Sequence, residues 1–470
     1  MIKFGTGGWR AEIGKDFCQD NIRRVAYGFA QYIHGRGETA KPVMIGFDRR
    51  FLSDCAAEWI AEVLCANGVK VLFLHRSAPT PLVMHTVQHR DLFYGMEVTA
   101  SHNPSTYNGI KIIVREGRDA PLEVTEALEK EINSIDGEIP VLPFAQCVEQ
   151  GLVQYIENPF NDFLDSVLNV LDYDAIRARG PRILFDTMHG SATYPLLVVL
   201  HTTRCTVDLL HDNKDAYFGG MMPAPEEKTL TELSRKVVAG GYDLGIGVDG
   251  DGDRLGIVDA DGQYITANEI LVLLYYYLHE YKGWKGPVVR NLATTHMLDA
   301  VAADLGEQCC EVPVGFKYIS SKIDEVDAVL GGESSGGLTV RGHIHGKDSV
   351  YAASLFVEMI CKTGKTPTAL MEELRAKYGN YVMVEDNIRF DPAQKEALKK
   401  TIMEDRALPD FGRPYDKVSY MDGCKTYFAD GSFVVCRFSG TEPLLRIFAE
   451  SGTHEKAAEL IAAWKQFLKL

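Results

Sequence analysis

Apolar and polar positions alternate along this chain with two recurring periods. Val43 to Phe47 is a short continuous apolar run, the pattern of a strand buried on both faces. Ser53 then stands where a helix N-cap is needed, and Ala57, Ile60, Val63 and Leu64 recur at helical spacing on one face. Asn67-Gly68 stops that helix, and Val69 to Leu74 predicts the next strand. Strand, helix and strand make one βαβ unit. The rhythm restarts at Arg182 to Asp186, continues through Thr206 to Leu210, and passes an amphipathic stretch, Leu230 to Val238, before the run Leu244 to Val248. A third set begins with an apolar helix around Ile270 to Tyr281, includes the strand Val288 to Asn291, and closes with a helix from Ser349 to about Cys361. After Tyr378 the character changes. Strands at Val382 to Phe390 and Ser432 to Phe438 surround a helical stretch after Pro392, and an amphipathic helix, His454 to Lys469, completes an α+β pattern.

This pattern predicts four domains: residues 1–145, 146–254 and 255–366 as α/β domains and residues 367–470 as a smaller α+β domain. The length of 470 residues fits several domains, since a single core usually stops growing well below that size. With 46% hydrophobic and 24% charged residues the chain has material for sizeable cores and is not a disordered polymer. Forty-nine basic against 65 acidic residues leave a net charge of −16. That excess argues against nucleic acid or an anionic membrane as partner, and it means that an anionic substrate needs a locally cationic pocket. The ten cysteines contain no C-x-x-C pair, so neither a zinc ribbon nor a disulfide framework is expected. The stretch Met1 to Trp9 has no apolar signal core, and the longest apolar run, Ile270 to Leu278, is too short for a bilayer. A cytoplasmic location is the expectation.

The clearest chemical string is Val248-Asp249-Gly250-Asp251-Gly252-Asp253-Arg254, directly after an apolar strand. Glycines let the backbone curve tightly, and alternate carboxylates can converge on a hard cation such as magnesium while leaving room for a phosphoryl oxygen. The competing reading is a solvated acidic turn. An EF-hand is excluded, because counting Asp249 as its first position puts Arg254 where glycine belongs and Ala260 where the bidentate glutamate belongs. Gly245, Gly247 and Gly250 also spell a dinucleotide fingerprint, but Leu255 to Val258 is strand-like and supplies no helix terminus for a pyrophosphate.

A second string, Thr99-Ala100-Ser101-His102-Asn103-Pro104, follows the run Leu92 to Val98 and precedes Tyr107-Asn108-Gly109-Ile110-Lys111. Ser101 in such a loop is a candidate nucleophile or phosphoryl carrier, with His102 and Lys111 near in sequence to move protons or balance charge. Gly331-Gly332-Glu333-Ser334-Ser335-Gly336-Gly337 offers a carboxylate and hydroxyls suited to sugar hydroxyls. Arg437-Phe438-Ser439-Gly440-Thr441-Glu442-Pro443 combines a guanidinium, hydroxyls and backbone amides, as phosphate binding requires, and Arg446 adds either a second charge or a solvated strand residue. Taken singly, each of these strings reads as a plain loop. No Walker A motif is present, since Gly364-Lys365-Thr366 has Met359 at the first glycine position.

Together with Phe4-Gly5-Thr6-Gly7-Gly8-Trp9-Arg10, these strings in this order resemble the α-D-phosphohexomutase superfamily across essentially the whole chain. The resemblance implies three similar mixed-sheet α/β domains and a smaller C-terminal α+β domain around a central cleft. It implies that Ser101 carries a phosphoryl group and that Asp249, Asp251 and Asp253 bind Mg²⁺ beside it, with Ser101 as a further ligand. Arg254, Arg10 and Lys111 are then the cations that allow another phosphate to approach. Glu333 and Ser335 would bind sugar hydroxyls, while Arg437, Ser439, Gly440 and Thr441 would hold the non-reacting phosphate. His343, in Arg341-Gly342-His343-Ile344-His345-Gly346-Lys347-Asp348, matches a histidine of phosphoglucomutase-like members and is a candidate acid or base. Two departures stand out: Gly7 replaces a common serine, and Gly337 stands where several relatives have histidine.

The implied activity is interconversion of glucose 1-phosphate and glucose 6-phosphate through a phosphoserine and a bisphosphorylated sugar, with glucose 1,6-bisphosphate as activator and a monomer or small homo-oligomer as the working form. Phosphomannomutase and phosphoglucosamine mutase are the alternatives within the class. A dinucleotide-binding oxidoreductase and a non-catalytic sugar-phosphate-binding protein are the alternatives outside it.

Overall fold

A computed structural model describes residues 1–5, 8–439 and 444–470. The chain forms two compact units, one of Met1–Ala267 with Ser335–Thr366 and one of Asn268–Ser334 with Pro367–Leu470.

The first unit contains two sheets. In the larger, the strand order is Trp9–Glu12, Tyr107–Val114, Tyr94–Val98, Val43–Phe47, Val71–Phe73, Val153–Tyr155. The last four run parallel, and Tyr107–Val114 is antiparallel to Trp9–Glu12, to Tyr94–Val98 and to the short strand Arg118–Asp119 that pairs with its far end. Val43–Phe47 is buried at all five positions, which explains its unbroken apolar run. Ala57, Ile60, Val63 and Leu64 form the inner face of helix Ser53–Ala66, packed into the same core as Val43, Ile45 and Val71. Gly68, at φ 73°, reverses the chain after that helix.

The second sheet has the order Tyr264–Ile265, Leu255–Asp259, Leu244–Val248, Arg182–Asp186, Thr206–Leu210. Leu244–Val248 is parallel to Arg182–Asp186 and antiparallel to Leu255–Asp259. The aspartate string is therefore the tight connection between two adjacent antiparallel strands. Segment 335–366 adds helix Ser349–Thr363, whose N-cap Asp348 accepts from the N–H groups of Val350 and Tyr351. Its Glu358 accepts from Asp172 N, and its Ile360 carbonyl accepts from Arg179.

In the second unit, strands Cys309–Val312, Val288–Asn291 and Leu330–Gly332 are parallel neighbours. A five-stranded antiparallel sheet follows, ordered Val382–Arg389, Leu444–Ser451, Phe433–Phe438, Cys424–Tyr427, Lys417–Ser419, and is covered by helix His454–Leu468 through Leu460, Ile461 and Trp464. Leu292 and Ala293 pack with Phe433, Val435 and Phe448 in a shared apolar cluster between the two sheets. Fold class and the alternation of elements agree with the sequence pattern. The pattern did not anticipate Leu444–Ser451, the most extensively paired strand of the last sheet, because the polar residues Arg446, Glu450 and Ser451 break its apolar run although Glu450 and Ser451 are buried.

Candidate active site

In the first unit, strand Tyr94–Val98 ends in a loop whose Ser101 has φ 51°, a left-handed conformation that costs a serine energy and persists only when neighbours enforce it. The enforcing group is Arg50, which the sequence reading did not single out. Its buried guanidinium donates to the carbonyls of Ser101, Asn103 (2.6 Å), Pro104 (2.9 Å) and Tyr107 (3.1 Å), wiring the whole loop to one side chain. Asp48, with Oδ2 3.4 Å from Arg50 Nε, accepts in turn from Ser53 and Thr99. Two adjacent arginines after a strand read as solvated charge in sequence, and only the tertiary contact shows one of them to be interior.

Ser101 Oγ donates to Asp249 Oδ2 at 3.2 Å and lies 3.4 Å from His102 Nδ1. A Cβ at Gly250 would meet the Ser101 carbonyl at 3.0 Å, and one at Gly252, which has φ 76°, would meet Pro79 at 2.7 Å. Gly250 thus lets the aspartate loop approach the serine loop closely, and Gly252 lets it approach Pro79. Lys111 Nζ donates to Asp251 Oδ2 (2.6 Å) and Asp253 Oδ2 (2.8 Å), Lys347 Nζ lies 2.8 Å from Asp253 Oδ2, and Arg254 Nε lies 3.7 Å from Asp253 Oδ1. Thr80 Oγ1 donates to Asp251 Oδ2, and Arg10 Nη1 to Asn103 Oδ1 at 2.6 Å. Ser101, His102, Lys111, Arg10, Arg254 and the three aspartates therefore lie in one buried neighbourhood.

The electrostatics follow from burying three carboxylates among these cations. Burial and the charges of Asp253 and Asp251 push Asp249 well above the ordinary carboxyl range. Burial also opposes ionisation of Asp253, but Lys111, Lys347 and Arg254 outweigh it and hold that carboxyl well below its usual value. Burial works against the Lys111 ammonium too, yet Asp251 and Asp253 raise its pKa. His102 is pushed down to about 2 by burial and by Arg254 and Arg10, so its imidazole is neutral at physiological pH.

The donor set suits a hard cation. One ligand oxygen from each of Asp249, Asp251 and Asp253 lies within 4.8 Å of the others, and Oδ1 of both Asp251 and Asp253 is buried with no hydrogen-bond partner. Three clustered carboxylates, two of them with an oxygen that no hydrogen bond occupies, are what an oxygen-liganded divalent ion needs.

The loop 341–348 enters this neighbourhood through Lys347. His343 is placed differently: Nε2 is 2.6 Å from Asp348 Oδ2, and its ring stacks on Tyr351 at 4.2 Å beside Phe163. Ser335 belongs to the same unit and is exposed. In sequence the imidazole of this loop stands out, whereas Lys347 stands immediately before the helix cap Asp348 and belongs to no motif.

The second unit carries the remaining residues. Glu333 is buried, and its Oε1 accepts from Asn291 Nδ2 (3.0 Å) and Gly315 N (3.1 Å). Arg437 stands directly opposite Arg446 across strands Phe433–Phe438 and Leu444–Ser451. Two guanidiniums so placed repel each other, and the Nε of each is buried without a hydrogen-bond partner. Both features suit an anion. Arg437 Nη2 donates to Asp422 Oδ2 at 3.1 Å, and Ser439 N donates to the Leu444 carbonyl. Thr6, Gly7, Gly440 and Thr441 lie outside the described residues.

Family models described as phosphoglucomutase/phosphomannomutase alpha/beta/alpha domains I, II and III match residues 1–138, 161–262 and 266–378, and the C-terminal domain model matches 382–465. The chain belongs to the phosphoglucomutase/phosphomannomutase family. A Methanopyrus kandleri protein named as a probable phosphoglucosamine mutase is 30% identical over 459 residues, covering 97% of this chain and 95% of that protein. A Thermococcus kodakarensis protein named phosphoglucomutase/phosphomannomutase is 28% identical over 458 residues, covering 97% and 96%. Among solved structures, a candidate phosphomannomutase from Thermus thermophilus superposes with a TM-score of 0.86 at 26% identity, over 100% of this chain and 99% of that one. Members of the family are phosphohexomutases, isomerases that transfer a phosphoryl group within a hexose phosphate, and this phosphohexomutase is an enzyme of that class. Among the described residues no helix is long and apolar enough to cross a membrane.

Proposed function

We propose that this phosphohexomutase interconverts glucose 1-phosphate and glucose 6-phosphate through a phosphorylated Ser101. The observation that carries the reading is Ser101 Oγ at 3.2 Å from an aspartate of a buried three-carboxylate cluster ringed by Lys111, Lys347, Arg254 and Arg10. In the proposed reaction a sugar hydroxyl attacks the phosphorus of phospho-Ser101, the bond from phosphorus to Oγ breaks, and the sugar becomes a bisphosphate. After the bisphosphate reverses, Oγ attacks the other phosphate and the isomeric monophosphate leaves. Such transfers are accelerated mainly by positioning and by stabilising charge on the phosphoryl oxygens.

Asp249, Asp251, Asp253 and Ser101 would hold Mg²⁺. When bound, that ion would neutralise and polarise phosphoryl oxygens. Lys111 is committed to two carboxylates and serves as a fixed cation. In the transfer the proton of the sugar hydroxyl ends on Ser101 Oγ, and the neutral imidazole of His102, with Nδ1 3.4 Å from that oxygen, is placed to hydrogen-bond the reacting group and not to store its proton. The opposed pair Arg437 and Arg446 would grip the phosphate that is not reacting, and Glu333 with Ser335 would bind sugar hydroxyls. Glucose 1,6-bisphosphate would prime the serine, in a cytoplasmic monomer or small homo-oligomer.

Glucose is favoured because the loop reads Glu333-Ser334-Ser335-Gly336-Gly337, unlike the Glu-Gln-Ser-Gly-His typical of phosphoglucosamine mutases. The name of the 30% identical relative supports glucosamine phosphate as the second reading. The deciding assay measures turnover of glucose, mannose and glucosamine 1-phosphates with magnesium and a trace of glucose 1,6-bisphosphate, for the native protein and Ser101→Ala. Selective glucose turnover, lost in Ser101→Ala, is the expected result. Preference for another sugar would change the substrate, and undiminished turnover by the variant would overturn the phosphoserine mechanism.

A further inference from the structure

Two consecutive backbone N–H groups in the second unit are each held by a distant carboxylate. Gly315 N donates to Glu333 Oε1, and Val314 N donates to Asp422 Oδ2, both at 3.1 Å. The same Oδ2 accepts from Arg437 Nη2 at 3.1 Å. One oxygen of Asp422 thus joins the opposed arginine pair to the turn before helix Phe316–Val326, and the next residue of that turn reaches Glu333.

The placement of Asp422 is built into the fold. Gly423 has φ 86°, and a Cβ there would meet the Cys436 carbonyl at 2.4 Å and Arg437 Cβ at 2.7 Å. Only glycine permits so close a crossing of strand Phe433–Phe438, and the crossing sets Asp422 beside the guanidinium. Asp422 engages Nη2 of Arg437, while Nε of Arg437 and Nε of Arg446 stay without hydrogen-bond partners. An incoming phosphate therefore finds donors that Asp422 does not occupy.

We infer that Asp422 is a positioning residue that holds the phosphate-gripping Arg437 in register with the Val314–Gly315 turn and, through it, with Glu333. The inference rests on the roles proposed above for Arg437 and Glu333. Asp422 has two separable parts in it. Its charge offsets one of two facing guanidiniums and so moderates their affinity for anions. Its acceptor oxygen fixes the spacing between the phosphate end and the sugar end of the substrate, and transfer rates are sensitive to misplacement on the ångström scale.

The test compares Asp422→Asn with Asp422→Ala, using inorganic phosphate as a competitive inhibitor and glucose 1-phosphate, or whichever hexose 1-phosphate the enzyme turns over, as substrate. Asp422→Asn keeps an oxygen for Val314 N but loses the charge. It is expected to bind phosphate several-fold more tightly while kcat stays within about 3-fold, and Asp422→Ala to bind phosphate as tightly but lose about 10-fold or more in kcat. Equal kcat in the two variants overturns the positioning role. Should Asp422→Ala fail to fold by circular dichroism, unchanged phosphate inhibition in Asp422→Asn overturns the proposal by itself. Arg437→Ala serves as the reference: if that variant leaves KM and phosphate inhibition unchanged, the phosphate-binding reading of Arg437 has failed, and a KM rise there with inert Asp422 variants defeats the present inference alone.

Discussion

Glu97 lies buried in strand Tyr94–Val98, and neither of its carboxylate oxygens has a hydrogen-bond partner. It fits because Gly46, on the neighbouring strand, has no side chain: a Cβ there would lie 2.2 Å from Glu97 Oε2. Burial, reinforced by Asp48 and Asp251 and only partly opposed by Lys111, pushes its pKa well above the usual carboxyl value. The folded protein therefore keeps a proton that the unfolded chain releases above about pH 4.3, and this group makes stability fall as pH rises beyond that point. Glu97→Met, similar in volume and apolar, is expected to stabilise the protein by about 1–3 kcal/mol at pH 8, the penalty of an unsatisfied buried polar group, and by less at pH 5. Urea denaturation at the two pH values checks it, and a loss of stability at pH 8 would show that the carboxyl is satisfied in solution. At this scale the sequence disclosed what sits inside a motif, such as Ser101 and the alternating aspartates. It concealed Arg50, Thr80, Lys347 and Asp422, because each meets its partners only after long stretches of chain have folded together.

Elements were legible wherever hydrophobic periodicity and a stop signal agreed, as in helix Ser53–Ala66 and strand Val288–Asn291. They were obscure where charged residues are interior and interrupt the apolar pattern. Strand Cys424–Tyr427 shows this: Lys425 is buried and donates to Glu311 Oε2 (2.6 Å) and the Leu292 carbonyl (2.7 Å), linking the last sheet to strand Cys309–Val312 and its neighbour Val288–Asn291. Tyr427 and Arg290 also donate to Glu311. Burial and the nearby Arg290 pull Lys425 down to about 7 against the attraction of Glu311, so proton release by the folded state adds stability as pH rises from about 7 toward the unfolded value near 10.4. Burial works to raise the Glu311 pKa, but His296, Lys425 and Arg290 hold that carboxyl far below its usual range, and its contribution is present throughout neutral pH. Glu311→Gln leaves Lys425 and Arg290 without their shared anion and is expected to destabilise the second unit by about 3–5 kcal/mol at pH 7. Chemical denaturation followed through this unit decides the matter, and a change below about 1 kcal/mol would mean that apolar packing alone joins the two sheets.

At the scale of the whole chain, the aspartate cluster belongs to one compact unit and the opposed arginines to the other. A ligand that binds the folded state alone stabilises it by about 2.7 kcal/mol at a hundred times its Kd. Magnesium should therefore act on the unit that contains Asp249, Asp251 and Asp253, and inorganic phosphate on the unit that contains Arg437 and Arg446. Differential scanning calorimetry of the full chain is expected to resolve two transitions, with magnesium raising the Tm of one and phosphate that of the other by several degrees. Asp251→Asn should abolish the first response and keep the second, and Arg437→Ala should do the reverse. If both ligands moved a single transition, the two units would unfold as one cooperative body, and the substitutions would still tell the sites apart. A magnesium response that survived Asp251→Asn would place the cation elsewhere and remove the main support for Ser101 as the phosphoryl carrier, which is the buried carboxylate cluster beside that serine with two oxygens that lack a hydrogen-bond partner.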